Sequence, residues 1–91
     1  MTIYYYKGQA VRSSKRNTYK YGLYCPTLDS VIALSSTKQG AAKENNSYIN
    51  IAKRNIEAYK KEGNLEMVEF IKKELEEMQA RYVVELEKVE K

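Results

Sequence analysis

The spacing of apolar positions along the chain changes near residue 36. Before it, Ile3-Tyr4-Tyr5-Tyr6 is a β-branched and aromatic run, and Lys7-Gly8 is a tight-turn pair ahead of a returning stretch from Gln9 to Ser13. Ser14-Lys15-Arg16-Asn17 is polar and turn-like. From Thr18 to Cys25 the residues alternate, with Tyr19, Tyr21, Leu23 and Cys25 on one side and Lys20, Gly22 and Tyr24 on the other. That period of two marks a half-buried strand. Pro26 has no N–H to give to a ladder, so the strand ends there. Val31-Ile32-Ala33-Leu34 is a short branched run that favours one more strand. These segments predict a small antiparallel β-sheet of three to four strands over residues about 2–35.

Beyond residue 36 the period becomes helical. Ser35-Ser36-Thr37 supplies candidate N-caps, and Ala41, Ala42, Tyr48, Ile49, Ala52, Ile56 and Tyr59 recur at steps of three and four. Asn45-Asn46-Ser47 is a weak helix-forming cluster, which leaves open whether the helix continues through it. Gly63 suits the C′ position of this helix, and Asn64 suits the N-cap of the next. Leu65, Val68, Ile71, Leu75, Met78, Tyr82, Leu86 and Val89 then form an apolar stripe. The pattern predicts two long helices, about 37–62 and 65–90, paired as an antiparallel hairpin. At 1.5 Å per residue each is about 38 Å long, more than a small sheet covers. Part of the hairpin must project, fold back or meet another chain. The fold class is α+β, in one domain over residues 1–91.

Composition narrows the function classes. The chain has no histidine and a single cysteine, Cys25. The commonest general base and zinc ligand are therefore missing, and a lone thiol at the end of a strand pattern is expected to be a small buried hydrophobe. No paired-carboxylate or lysine-centred motif stands out, so a non-catalytic protein is expected, with no metal and no cofactor. The longest apolar runs are about four residues, against about 20 for a membrane helix. Met1-Thr2-Ile3-Tyr4 does not begin a signal peptide, so a cytosolic location, without membrane contact, is expected.

Charge is unevenly divided. Residues 1–43 carry seven basic side chains and one acidic one, while residues 44–91 carry nine basic and eleven acidic. Six of the nine tyrosines lie in the cationic part. Cations interleaved with aromatic rings suit phosphates and bases, and equally suit a protein interface. The candidate partner-binding residues are Lys7, Arg12, Lys15, Arg16, Lys20, Tyr24, Lys38 and Lys43. A solvated turn accounts for Lys15 and Arg16 without any partner, and strand packing accounts for most tyrosines, Tyr19 and Tyr21 above all. The stretch from Ser35 to Lys43 leads into a helix start with two lysines, a physical recipe for holding an anion. It lacks the glycine spacing of a phosphate loop, and an ordinary N-cap explains it equally well. On the second helix, Met67, Phe70, Val83 and Val84 fall off the main stripe and form a candidate homodimer surface.

The stretch Tyr4-Tyr5-Tyr6-Lys7-Gly8-Gln9-Ala10-Val11-Arg12-Ser13-Ser14, with Val31-Ile32-Ala33-Leu34-Ser35-Ser36-Thr37-Lys38-Gln39-Gly40-Ala41, resembles small bacteriophage-encoded proteins of the anti-CRISPR, anti-defence kind. The resemblance covers the style of the first half of the chain. It implies a stoichiometric inhibitor of a host CRISPR effector or another nuclease ribonucleoprotein, occupying a nucleic-acid channel or an interdomain surface. Two other expectations stand beside it. One is a small accessory protein that binds DNA or RNA directly, and the other is an oligomerisation module built on the helical hairpin.

Overall fold

The computed structural model describes all residues, 1–91. Its first strand, β1 (Thr2–Tyr6), turns through Lys7 and Gly8 into β2 (Gln9–Ser14). Both turn residues have positive φ, 50° and 79°, the conformation that matches the twist of a two-residue hairpin. β3 (Tyr21–Cys25) and β4 (Ser30–Ser35) make the next hairpin, turned by Pro26 to Asp29. The helices α1 (Lys38–Glu62) and α2 (Leu65–Gln79) follow, and two short strands, β5 (Tyr82–Glu85) and β6 (Glu87–Glu90), end the chain. The protein is thus α+β, with a helical hairpin.

Two antiparallel three-stranded sheets replace the single N-terminal meander, in the orders β2-β1-β6 and β4-β3-β5. They are joined where β5 runs into β6 through one residue, Leu86, whose N–H donates to Lys20 O at 2.9 Å. The result is an open barrel in which β5 and β6 act as one bent ribbon. β2 and β4 are its free edges. Each edge strand carries a bulge, at Val11 and at Ile32, where the pairing with β1 and β3 skips a residue. Tyrosines line the space between the sheets, with Tyr6 and Tyr24 meeting at 5.4 Å between ring centroids. Gly22 faces this interior, where a Cβ would come within 2.6 Å of Val31 Cγ1 and 3.1 Å of Ala33 O.

Tyr4 fixes the crossing between the sheets. Its side chain is fully buried, and its hydroxyl donates to Arg16 O (2.6 Å) and accepts from Tyr19 N (3.3 Å). The Tyr19 ring meets it edge-on at 5.5 Å. One side chain therefore satisfies two backbone groups of the connection that would otherwise be orphaned.

The helices begin and end on local signals. The Thr37 hydroxyl accepts from Gly40 N at 2.9 Å, and Asn64 Oδ1 accepts from Met67 N at 3.3 Å. Gly63 closes α1 with φ 75°. Between the helices lies an aliphatic core of Ala52, Ile56, Val68 and Ile71, flanked by Tyr59, Met67, Leu75 and Met78. Only α1 packs broadly on the barrel, over β3, β4 and β5, and the rest of the hairpin projects. The long axis of the molecule is 54 Å, against 20 and 17 Å across.

One expectation about the helices needs correction. Helix α2 stops at Gln79, well short of the 65–90 span its stripe predicts. Residues 82–90 pair as strands with β3 and β1 instead, because Tyr82, Val83 and Val84 are β-favouring and both sheets lack a third strand. Helix α1 runs unbroken through Asn45. That residue is buried in a continuous helix, where its amide donates to Met78 O at 2.9 Å and its oxygen accepts from Arg81 Nη1 at 3.4 Å. Asn45 thereby caps the end of α2, satisfying one of its final carbonyls.

Candidate functional site

The barrel gathers charge at one end and aromatic rings at the other. In the ladder of the first sheet, Arg12 and Lys88 stand on either side of Tyr4, on the same face. Lys15 and Arg16 follow β2 at the end where Thr2 and Ser14 pair. Tyr4 holds the carbonyl of Arg16, so this short connection keeps its two cations exposed at the surface. Arg12 and Lys88 thus share the Tyr4 face of the sheet, with Lys15 and Arg16 in the connection at its Ser14 end. Lys88 was missed because residues 82–90 read as helix. The Lys88 ammonium donates to Asn17 O, and Asn17 Nδ2 donates to Glu90 Oε1 at 3.1 Å.

The other predicted cations lie elsewhere. Lys20 sits beside Glu85 and Leu86. Lys38 places its ammonium 5.7 Å from the Tyr21 ring centroid, and Lys43 is exposed on α1. Lys7 lies in the turn just beyond β1, a strand that spans about 13 Å from Thr2 to Tyr6, with its ammonium 5.4 Å from the Tyr6 centroid. A third cation, Arg16, lies 5.5 Å from the centroid of Tyr19. The molecule's two ion pairs, Lys60–Glu57 (3.6 Å) and Lys72–Glu69 (3.7 Å), are both in the helical hairpin. The cations of the barrel are therefore not neutralised by direct pairing. Counted by the fold, residues 38–79 hold eight basic and eight acidic side chains, while the remainder holds eight basic and four acidic. The whole net charge of +4 belongs to the barrel and its connections.

At the Lys7 end, Tyr6, Tyr24 and Tyr82 form a row of tilted rings with centroid spacings of 5.4 and 5.2 Å. Tyr24 is the one member that the sequence singles out. Its hydroxyl donates to Asp29 Oδ1, and that hydrogen bond to a carboxylate is the main cause that pushes the phenol up to about 12. Asp29 is held at the close of the Pro26 turn, with φ 49° and its N–H on Pro26 O (3.2 Å). Beside these rings lies a groove of about 230 Å³ between the free edges of β2 and β4. Tyr6 and Tyr82 come from strands that are remote in sequence. The only local signal for the row is Asp29 five residues after Tyr24, across a turn.

The proposed homodimer surface is not one surface. Val83 and Val84 lie in β5, with Val84 buried in the barrel, because the chain has left the helix by then. Phe70 is 57 % exposed on α2, while Met67 packs against the hairpin core. Tyr19 and Tyr21 are half-buried, and Tyr19 lies outside β3. Cys25 is buried at the end of β3. No group of three His, Cys, Asp or Glu side chains comes together in the fold. No helix is long and apolar enough to cross a membrane. Comparison with protein-family models, with curated proteins and with solved structures gives no match for this chain.

Proposed function

We propose that the protein is a non-catalytic binding protein, a phage-type inhibitor of the anti-CRISPR kind that engages a host nuclease ribonucleoprotein through its cationic barrel face. The supporting observation is the grouping of Arg12, Lys15, Arg16 and Lys88 on a barrel that carries the full net charge and none of the ion pairs. A face of unpaired cations raises the local potential and steers association with an anionic surface such as a guide-loaded channel. The test is a set of cleavage assays with CRISPR effectors of several types, each with the wild-type chain and with Arg12, Lys15 and Arg16 changed to Gln together. Inhibition of one effector type that the triple variant loses supports the proposal. Cleavage left intact by the wild-type chain across the panel removes it.

A second reading is direct binding of DNA or RNA, favoured by Lys7, Arg16 and Lys38 each lying over a tyrosine ring. Gel-shift titration at two salt concentrations separates the two. Direct phosphate contact weakens steeply with salt, and each cation removed lowers the log–log slope by about one. A chain that binds only the effector protein leaves free nucleic acid unshifted.

A further inference from the structure

At the Tyr6 end of the barrel, aromatic faces, a carboxylate and an unpaired strand edge meet. Strand β4 runs Ser30-Val31-Ile32-Ala33-Leu34-Ser35, an edge with no charged residue and no proline. Edge strands are commonly protected by such residues, and the opposite edge, β2, carries Arg12. Strand β4 has instead a bulge at Ile32 and helix α1 packed on it. The groove between the two edges is walled by Tyr6, Val11, Tyr24 and Val31. At about 230 Å³ it is smaller than the roughly 300–1,000 Å³ of ordinary small-molecule pockets, and it suits side chains presented by another backbone.

The charge of the groove selects the partner. Asp29 is the only acidic side chain among the first 43 residues, and it stands in the groove wall, held by the Tyr24 hydroxyl. Aromatic faces attract cations, and Lys7 already lies over Tyr6. The Tyr82 ring beyond Tyr24 is 48 % exposed. Lys7 lines the groove beside Asp29, so a phosphodiester chain entering here meets one cation and one carboxylate, whereas a guanidinium or ammonium that takes the place of Lys7 finds both the carboxylate and the rings.

We propose that this groove docks an extended segment of a partner protein, added as a strand along the free edge of β4, with an arginine or lysine side chain between Asp29 and the Tyr6 and Tyr24 rings that line it. Strand addition of this kind draws affinity from main-chain hydrogen bonds and specificity from the side-chain pocket. The site is separate from the cationic face of Arg12, Lys15 and Arg16, and it stands or falls independently of it.

The test is an NMR titration of the full chain with an end-blocked peptide of alternating valine and arginine. A peptide of alternating valine and glutamate and a short oligothymidylate serve as comparison probes. The valine–arginine peptide is expected to shift the amide signals of Ser30–Ser35 and the ring signals of Tyr6 and Tyr24. Asp29→Asn is expected to weaken it by roughly threefold to tenfold, the range for a partly exposed ion pair with a charged hydrogen bond. Asparagine tolerates the positive φ at this position, so the turn is retained. Lys7→Ala, which removes the competing cation, is expected to tighten binding. No shift with millimolar valine–arginine peptide overturns the proposal, as does equal binding of the glutamate peptide. Insensitivity to Asp29→Asn overturns it too. Oligothymidylate shifting the same rings in place of the peptide makes the groove a base-stacking site and likewise overturns it.

Discussion

The barrel and the helical hairpin solve the same problem with different materials. The hairpin is held by small aliphatic side chains, Ala52, Ile56, Val68 and Ile71, and its charges balance. Its contacts join neighbours along the chain across one Gly63-Asn64 turn. The barrel is built of tyrosines whose rings pack and whose hydroxyls bind backbone or carboxylate, and it carries the surplus cations. Its strands join residues from opposite ends of the chain, as where Thr2 pairs with Glu90. Aliphatic packing is indifferent to direction, whereas a tyrosine hydroxyl must find a partner at one distance and angle. The hairpin therefore supplies stability with few geometric demands, and the barrel supplies positioned groups.

Substitutions that strike one half and spare the other put this contrast to the test. The largest effect is expected from Ile71→Ala, which opens a cavity between the helices and costs about 2–5 kcal/mol in urea unfolding followed by circular dichroism. A loss under about 1 kcal/mol would mean that the two helices do not support each other. Tyr4→Phe keeps the ring but orphans Arg16 O and Tyr19 N, at a cost of about 1–3 kcal/mol. Hydrogen exchange at the Tyr19 amide is expected to quicken in that variant, and unchanged exchange would deny Tyr4 its place as the clamp of the connection. Gly63→Ala forces a side chain into φ 75° and is expected to cost about 1–2 kcal/mol, visible as a lowered Tm. Neutralising Arg12, Lys15 and Arg16 together is expected to change stability by no more than about 0.5 kcal/mol per site, since none is buried or ion-paired.

The smallest signal is a titration. Tyr24 has its folded value raised to about 12 from 10.0. The protonated phenol is the favoured form in the fold, so its contribution is complete below the unfolded value and fades as pH climbs through about 12. Tyrosinate absorbance is expected to show one phenol ionising later than the rest, and Asp29→Asn is expected to return it towards 10.0. A late phenol that persists in Asp29→Asn would assign the shift to another cause.

Signals carried within a few residues were legible in the sequence. Thr37, Gly63, Asn64 and the Lys7-Gly8 turn each act through their own neighbours, and each stands where the pattern puts it. The end of α2 was not legible. The steps Leu75, Met78, Tyr82, Leu86 and Val89 continue a helical stripe, while Tyr82, Val84 and Leu86 equally form a strand's alternation. Pairing with β3 and β1 decides between them, and those partners lie 58 to 88 residues away. The division into two sheets has a similar origin, since β5 and β6, parted at Leu86, each pair with a different hairpin. For the candidate site, Arg12, Lys15 and Arg16 were visible as a local cluster. Lys88 and the row of Tyr6, Tyr24 and Tyr82 exist only after distant strands meet.

The bent ribbon through Leu86 also sets an order of events on the ribosome. Both sheets wait for their third strand until residues 82–90 emerge, so β1 and β3 spend most of synthesis with one neighbour each. The helical pair, whose partners are adjacent in the message, can form first and bring the two halves of the nascent barrel within reach. A chain cut before Tyr82 is expected to keep its helical circular dichroism while Tyr4 becomes accessible to solvent-borne quenchers. A truncated chain that still shields Tyr4 would show that the barrel closes without its last-made ribbon.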